Sequence, residues 1–531
     1  MKITSKAFKH VSHFSQTDIA FAEQDPRLMP FLNYQPSLSS FRDAINDKQS
    51  DETNRALLVQ VLKDQYDARS STTQEAIDII DSLSDDHTFT ITTAHQPVLF
   101  TGPLYVIYKI ISAIKLARQL ASAYPKYTFV PVFVTGGEDH DFDEINHTHL
   151  FGKEIKWEQE IEGPVGRLPT HTLKDALSSL EEILGSSPQA QQIFQTFAQI
   201  HEAHERYGMA FAALISHYFS PYGLIVLNMD HPALKGEMRD LFKDELLNHT
   251  SSKLVRETQE AIENAGFKPQ AYVRDINLFY LEDGLRARIE RTGNIYSIVD
   301  TDLSFSESEI LQILEDHPEK FSPNVIMRPL YQESILPNLA YVGGGGELAY
   351  WMERKTQFEH FNINFPVLVR RDSYLWIPNS LSKRMAKLNL PVEDYFKDED
   401  QQVKDFVATA SEKEFKLGRE KGALMKIFKE VEVKAVEIDP TLRSTIAAEA
   451  RNQLKSLEKI EDKLRKAEKS KHETELGQLQ KIREKLFPKG NLQERHVNFL
   501  DFYSRQPDGF FEVLMQASDP LDMQLKIIEW R

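Results

Sequence analysis

Residues 88–120, TFTITTAHQPVLFTGPLYVIYKIISAIKLARQL, constrain the fold of this chain more than any other stretch. They open with an extended, β-branched run, Phe89-Thr-Ile-Thr-Thr93. They turn through His95-Gln96-Pro97 and the corner Thr101-Gly102-Pro103. From Leu104 the apolar residues take helical spacing, with Ile107, Tyr108, Ile111 and Ile114 on or near one face. Pro103 suits a helix start, where a missing N–H costs nothing. The stretch predicts strand, turn and helix, with the helix N-terminus facing the turn. Such an edge attracts phosphate or carboxylate, and open α/β sheets bind ligands there.

A second buried strand follows in residues 127–135, so the two strands and the helix between them form a βαβ unit of a parallel sheet. Further strands are expected at 223–228 and 365–370, and a hairpin over 277–289. Helices are expected through residues 1–86, 172–220, 234–265 and 348–359. The fold class is therefore α/β, a parallel-sheet core with helical insertions. Past residue 382 the chain turns Gly-poor and Lys/Glu-rich. Leucines spaced by three and four residues predict long helices at 403–436 and 441–486, a coiled-coil arm of two antiparallel helices or of two chains. Residues 441–490 carry 13 Lys and Arg against 8 Asp and Glu, either a solvated face or an anion-binding one. The aromatic tail from 491 onward is expected to fold back on the core. The expected domains are thus 1–381, 382–490 and 491–531.

The 63 basic against 80 acidic residues give a net charge of −17, which argues against a nucleic-acid partner. With no cysteine, disulfides, a thiolate nucleophile and Cys-ligated metal sites are all excluded. No secretory signal or apolar run of membrane-spanning length is seen, so the chain reads as cytoplasmic.

Three constellations could carry chemistry. The densest is Glu138-Asp139-His140-Asp141-Phe-Asp143-Glu144-Ile-Asn146-His147, directly after the second strand. Carboxylates beside imidazoles can act as acid and base or ligate a metal; equally, acids gather at a helix start because its dipole favours them. Glu138, Asp139, His140 and Asp141 are the catalytic candidates here, with Asn146 and His147 as binding residues. The second is the corner holding His95, Gln96, Thr101 and Gly102, with Tyr105 and Lys109 in the helix it opens. His95 could stabilise phosphate charge or be a hydrogen-bonded structural residue. The third is the run Gly343-Gly344-Gly345-Gly346-Glu347, which either requires exposed backbone or positive φ for an anion, or makes a tight crossover. Arg328 is a further anion partner or an ion-paired core residue. Neither dinucleotide nor P-loop glycine spacing is present, nor a Gly-x-Ser-x-Gly elbow.

Together, His95-Gln-Pro-x-Leu-Phe-Thr-Gly-Pro-Leu-Tyr-x-Ile-Tyr-Lys109, Gly137-Glu-Asp-His-Asp-Phe-x-Glu-Ile-Asn-His147, Arg328-Pro-Leu-Tyr-Gln with Leu336-Pro-x-Leu-Ala-Tyr-Val-Gly-Gly-x-Gly-Glu-Leu-Ala-Tyr-Trp351, and Leu486-Phe-Pro-x-Gly-x-Leu-Gln-Glu-Arg495 resemble one family. It is the bacillithiol biosynthesis cysteine-adding enzyme family, BshC. The resemblance implies a Rossmann-like core similar to class I cysteinyl-tRNA-synthetase-like ligases, and a coiled coil that pairs protomers into a homodimer. It implies a ligase that joins L-cysteine to glucosaminyl-malate through an amide, with ATP activating the cysteine, and leaves the metal requirement open. Read from the residues alone, a metal-dependent hydrolase of an amide or phosphoester using residues 138–147 also stands, as does a coiled-coil scaffold with no working pocket.

Overall fold

In a computed structural model, which describes residues 1–69, 72–159, 162–411 and 416–530, five parallel strands form the central sheet. They are β1 (Thr88–His95), β2 (Thr128–Thr135), β3 (Ile225–Asn228), β4 (Asn338–Gly343) and β5 (Val367–Arg370). Their spatial order is β3-β2-β1-β4-β5, the doubly wound arrangement in which the chain reverses direction across the sheet between β1 and β4. β2 alternates as a strand buried on both faces must. Val130, Val132 and Val134 join one apolar cluster, while Phe129 and Phe133 join clusters on the other face. The helix Leu104–Ala123 between β1 and β2 buries thirteen of its twenty residues, so it lies within the core rather than on it.

The chain divides into two compact units, residues 1–376 with 491–530, and residues 377–490. Several expected elements are built differently. Residues 1–86 are not helical throughout: the strand Lys2–Ala7 pairs antiparallel with Gln524–Trp530. The hairpin expected at 277–289 is part of a five-stranded antiparallel sheet, with Leu278–Glu282 between Leu285–Thr292 and Phe321–Pro323. The helix expected at 234–265 is three helices, the last two parted where His249 takes a left-handed φ of 55°. The helix expected at 348–359 breaks after Met352. There the buried Glu353 carboxylate accepts the backbone N–H of Gln270 at 2.7 Å.

In the second unit, Gly418–Ile438 and Leu442–Lys471 form an antiparallel hairpin tied by Lys421–Glu461 (2.9 Å) and Arg443–Glu432 (3.2 Å). The expected helix 403–436 is divided, Glu399–Ala410 preceding the hairpin, and its residues 412–415 lie outside the described residues. Residues 441–486 are not one helix either. Leu442–Lys471, about 45 Å long at ~1.5 Å per residue, ends at His472, and Glu473–Leu486 follows. Leu479, Ile482 and Leu486 are buried, but no residue of Gly418–Ile438 is, and only Ala450 is in Leu442–Lys471. Ile427, Val431 and Ile438, on one face of their helix and 58%, 40% and 83% exposed, leave the hairpin with an open apolar stripe.

Candidate active site at the sheet's reversal point

Thr92 pairs with Tyr341, so the register brings His95 at the end of β1 level with Gly344 just past β4. The helices that follow the two strands therefore begin at one edge. His95 Nδ1 lies 2.9 Å from the Gln96 carbonyl, which can only accept, so Nδ1 carries the proton. Nε2 then accepts the Tyr105 hydroxyl at 2.9 Å. Burial, reinforced by the Lys109 charge, holds the His95 pKa at about 4. His95 is a neutral imidazole with both nitrogens engaged.

Lys109 lies beneath this pair. Its side chain does not cover the helix surface: it is 1% exposed, donates to Ala94 O at 2.8 Å and pairs with Glu347 at 2.7 Å. Burial pulls the Lys109 pKa down, and Glu347 opposes that pull. Burial would also raise Glu347, but Lys109 and the Gly344 N–H (2.9 Å) overcome it and hold the carboxylate at about 2. Tyr341 donates to the other oxygen of Glu347 at 2.8 Å.

The glycine run has another cause than the one expected. None of its four residues has positive φ. A Cβ on Gly345 would collide with the Asp18 carboxylate, which Arg370 holds at 2.7 Å, and one on Gly343 would come within 2.9 Å of Tyr341. Packing therefore fixes Gly343 and Gly345. The Gly344 N–H is already committed to Glu347. Gly346 alone is exposed, with nothing near the position of its Cβ.

Two guanidiniums border this edge. Arg328 donates to Gln332 (3.1 Å) and to the Tyr350 hydroxyl (3.1 Å), and among the described residues no carboxylate lies within ion-pair distance of it. Its pKa is raised: burial disfavours the charge, but Tyr350, Tyr341 and Glu347 outweigh it. Arg371, 2% exposed, pairs with Glu494 at 2.6 Å and keeps its Nε without a hydrogen-bond partner, beside Gly344.

The acidic run after β2 is divided among separate partners. Glu138 contacts the fully buried Lys235, which also pairs with Asp230 at 3.1 Å. Burial pushes the Glu138 pKa up, against the pull of Lys235. Partial burial would raise Asp139, whose side chain is 40% exposed, but the His140 backbone N–H at 2.7 Å and the Arg286 charge hold it at about 2. Arg286 donates to His140 Nδ1 at 2.9 Å, so that ring carries its proton on Nε2. Asp141 caps the short helix Phe142–Ile145 through the Glu144 N–H. Asn146 is buried and takes the Trp157 N–H on its carbonyl at 2.6 Å, and its side-chain oxygen lies 3.1 Å from His147 Nδ1. Gln96 reaches this segment through Glu144 at 3.0 Å. Among the described residues no three His, Asp or Glu side chains converge as a metal set, so the alternative of a metal-ligand cluster at residues 138–147 finds no assembled site there.

Thr101 and Gly102 belong to a turn with positive φ at three successive residues, Phe100 (49°), Thr101 (70°) and Gly102 (63°). Only glycine fits at 102, where a Cβ would sit 2.5 Å from Val98 Cγ2. The helix start is not an open anion site, because the Leu104 N–H donates to Val497 O at 2.8 Å. The sequence reading missed Arg167, which pairs with Asp230 at 2.9 Å, and with it Asp230, Lys235, Arg286, Arg371, Glu494 and Asn498. Arg371 had a local signal, charge directly after the apolar strand β5. Glu494 stands in the motif that ends at Arg495, and Asp230 and Lys235 lie five residues apart, whereas Arg167, Arg286 and Asn498 gave no local signal because their partners are remote in the chain.

Two family models cover nearly the whole chain. The bacillithiol biosynthesis BshC N-terminal Rossmann-like domain matches residues 1–372, and the BshC C-terminal coiled-coil domain matches residues 374–530. A protein of Flavobacterium johnsoniae described as "Putative cysteine ligase BshC" is 39% identical over 526 residues, 98% of each chain. Proteins with the same description from Flavobacterium psychrophilum and Chlorobaculum tepidum are 37% identical over 98% of each chain, and 30% identical over 85% of this chain and 84% of theirs. Among the described residues no helix is long and apolar enough to cross a membrane. With both domains matched and relatives aligned from end to end, the chain belongs to the bacillithiol biosynthesis BshC family.

Proposed function

We propose that this protein is a cysteine ligase that joins L-cysteine to glucosaminyl-malate through an amide bond, using ATP. The observation that carries the reading is Arg328, a guanidinium with no acid partner among the described residues that lies within electrostatic reach of the Lys109–Glu347 pair at the sheet's reversal point. Malyl carboxylates and nucleotide phosphates are both anions that would complete it. Arg371 Nε, buried and unpartnered beside Gly344, is a second donor suited to an oxyanion. ATP, when bound, supplies the group that turns a carboxylate oxygen of cysteine into a leaving group. The acceptor nitrogen then forms the C–N bond as the C–O bond breaks, and its proton passes to a base. Asp139, held at about 2, is a poor base, whereas burial raises Glu138. The hydrolase reading loses its ligand cluster, and the scaffold reading does not account for the buried polar groups gathered here.

The test is incubation with ATP, cysteine and glucosaminyl-malate, followed by mass spectrometry. A condensed thiol product is expected, with AMP or ADP showing which phosphate bond is used. In Arg328→Met the KM of an anionic substrate should rise about 10- to 100-fold, from loss of a charge-assisted hydrogen bond worth ~1.5–3 kcal/mol. No product with any nucleotide would overturn the reading.

We also infer that the arm pairs two copies. Its open apolar stripe lies on a hairpin that buries almost nothing within itself. Light scattering should give a mass near twice 61.2 kDa, reverting in Leu457→Glu/Leu464→Glu. A mass of 61.2 kDa for the unaltered chain at micromolar concentration would exclude it.

A further inference from the structure

We propose that Asn498, from the segment that returns to the core after the arm, is a positioning residue of the reversal-point site: its side chain holds the Phe100–Gly102 turn so that Tyr105 meets His95. Three successive residues with positive φ, two of them not glycine, store backbone strain. Such a turn persists only when its surroundings impose it. The imposing group is one fully buried amide. Asn498 Nδ2 donates to Phe100 O at 2.9 Å and Gly102 O at 2.8 Å, with Thr148 Oγ1 at 3.1 Å.

Asn498 is itself fixed. Its Oδ1 accepts the Leu500 N–H at 3.0 Å, and its own N–H donates to His149 O at 2.9 Å. Val497, next to it, takes the Leu104 N–H, and Pro103 and Asn498 form an antiparallel bridge. The segment thus sets both the turn and the first residue of the helix. Tyr105 is the second residue of that helix, and its hydroxyl is the partner of His95 Nε2. A shift of the turn carries Tyr105 with it. The motif ending at Arg495 is thus followed, three residues on, by a residue that shapes the site, although it lies outside the sheet.

The kinetic part of the test rests on the ligase reading; the spectroscopic part does not. Full-length protein labelled with ¹⁵N-histidine, its His95 signals assigned with His95→Gln, is compared at neutral pH with Asn498→Ala. The expected result is a displaced His95 Nε2 resonance, matching that of Tyr105→Phe, as the phenol leaves the ring. Turnover should fall about 10²-fold while KM stays within about threefold, as misplacement of a catalytic group by an ångström does. If Asn498→Ala does not fold, Asn498→Ser, which keeps one donor, is read the same way. A folded variant with an unmoved Nε2 resonance overturns the proposal, and so does failure of both variants to fold, which would assign Asn498 to the fold alone. A displaced resonance in a protein with no ligase activity keeps the positioning role and sinks the ligase reading.

Discussion

The Lys109→Met variant is expected to lose about 3–5 kcal/mol of stability and essentially all turnover. Lys109 and Glu347 are an ion pair in which the lysine side chain is 2% and the glutamate 23% exposed. Removing one partner leaves the other charge in a medium that cannot solvate it, which costs more than the pair itself contributes. Methionine keeps most of the volume, so packing loss adds little. The stranded Glu347 carboxylate would take up a proton, and the Gly344 and Tyr341 bonds it accepts would weaken with it. Urea melts at pH 7.5 measure the cost. The double variant Lys109→Met/Glu347→Gln should recover much of it, because it buries no net charge. If the single variant melts within 1 kcal/mol of the unaltered protein, the pair is not a buried one.

A pH dependence of comparable size is expected from Glu333. This carboxyl is 1% exposed; burial raises its pKa from the ordinary 4.5 to about 7, despite the Lys48 charge and the amides of Gln332 (2.9 Å) and Asn338 (2.9 and 3.1 Å). The unfolded chain releases this proton near 4.5, whereas the folded one keeps it until about 7. Between those values the folded state binds more protons, so its stability falls as pH rises. The contribution is fully present below 4.5 and gone above 7, a loss of ~3 kcal/mol at about 1.4 kcal/mol per tenfold change in equilibrium constant. Glu333→Gln should flatten this slope and be the more stable chain at pH 8, as read from denaturant midpoints at pH 5 and pH 8. Parallel pH profiles for the two proteins would refute the assignment. The titration also touches the site. Gln332 bonds both Glu333 and Arg328, so ionisation of the first reaches the guanidinium through one amide.

What the sequence made legible was local. The β-branched run at 88–95, the Gly-Pro corner and the helical spacing from Leu104 each depend on neighbours within a few positions, and all three elements formed where they were read. The family motifs added the Rossmann-like core and the coiled coil, which the domain matches show. The opening strand was hidden because Lys-Ile-Thr-Ser-Lys-Ala is too polar to show a buried face, and in the fold it is a largely exposed strand. The helix break at His249 has no glycine or proline to announce it. The glycine run was visible, but its reason was not: the atom that excludes a Cβ at 345 belongs to Asp18, in a different part of the chain. The same holds for the site. His95, Tyr105 and Lys109 lie within one continuous stretch, whereas Arg371, Glu494 and Asn498 become neighbours of it only after the sheet has closed.

The pairing of Lys2–Ala7 with Gln524–Trp530 sets a timetable for synthesis. Lys2 and Glu529, whose side chains bond at 3.2 Å, are 527 positions apart. At roughly 5–20 residues per second a ribosome needs about half a minute to two minutes to cover that span. Through all of it Lys2–Ala7 lacks its partner strand, and an unpaired strand edge is a template for unwanted association. Its two lysines and its hydroxyl side chains are what such an edge needs while it waits. Of the two paired strands, the earlier one waits through nearly the whole intervening chain before it can find its place.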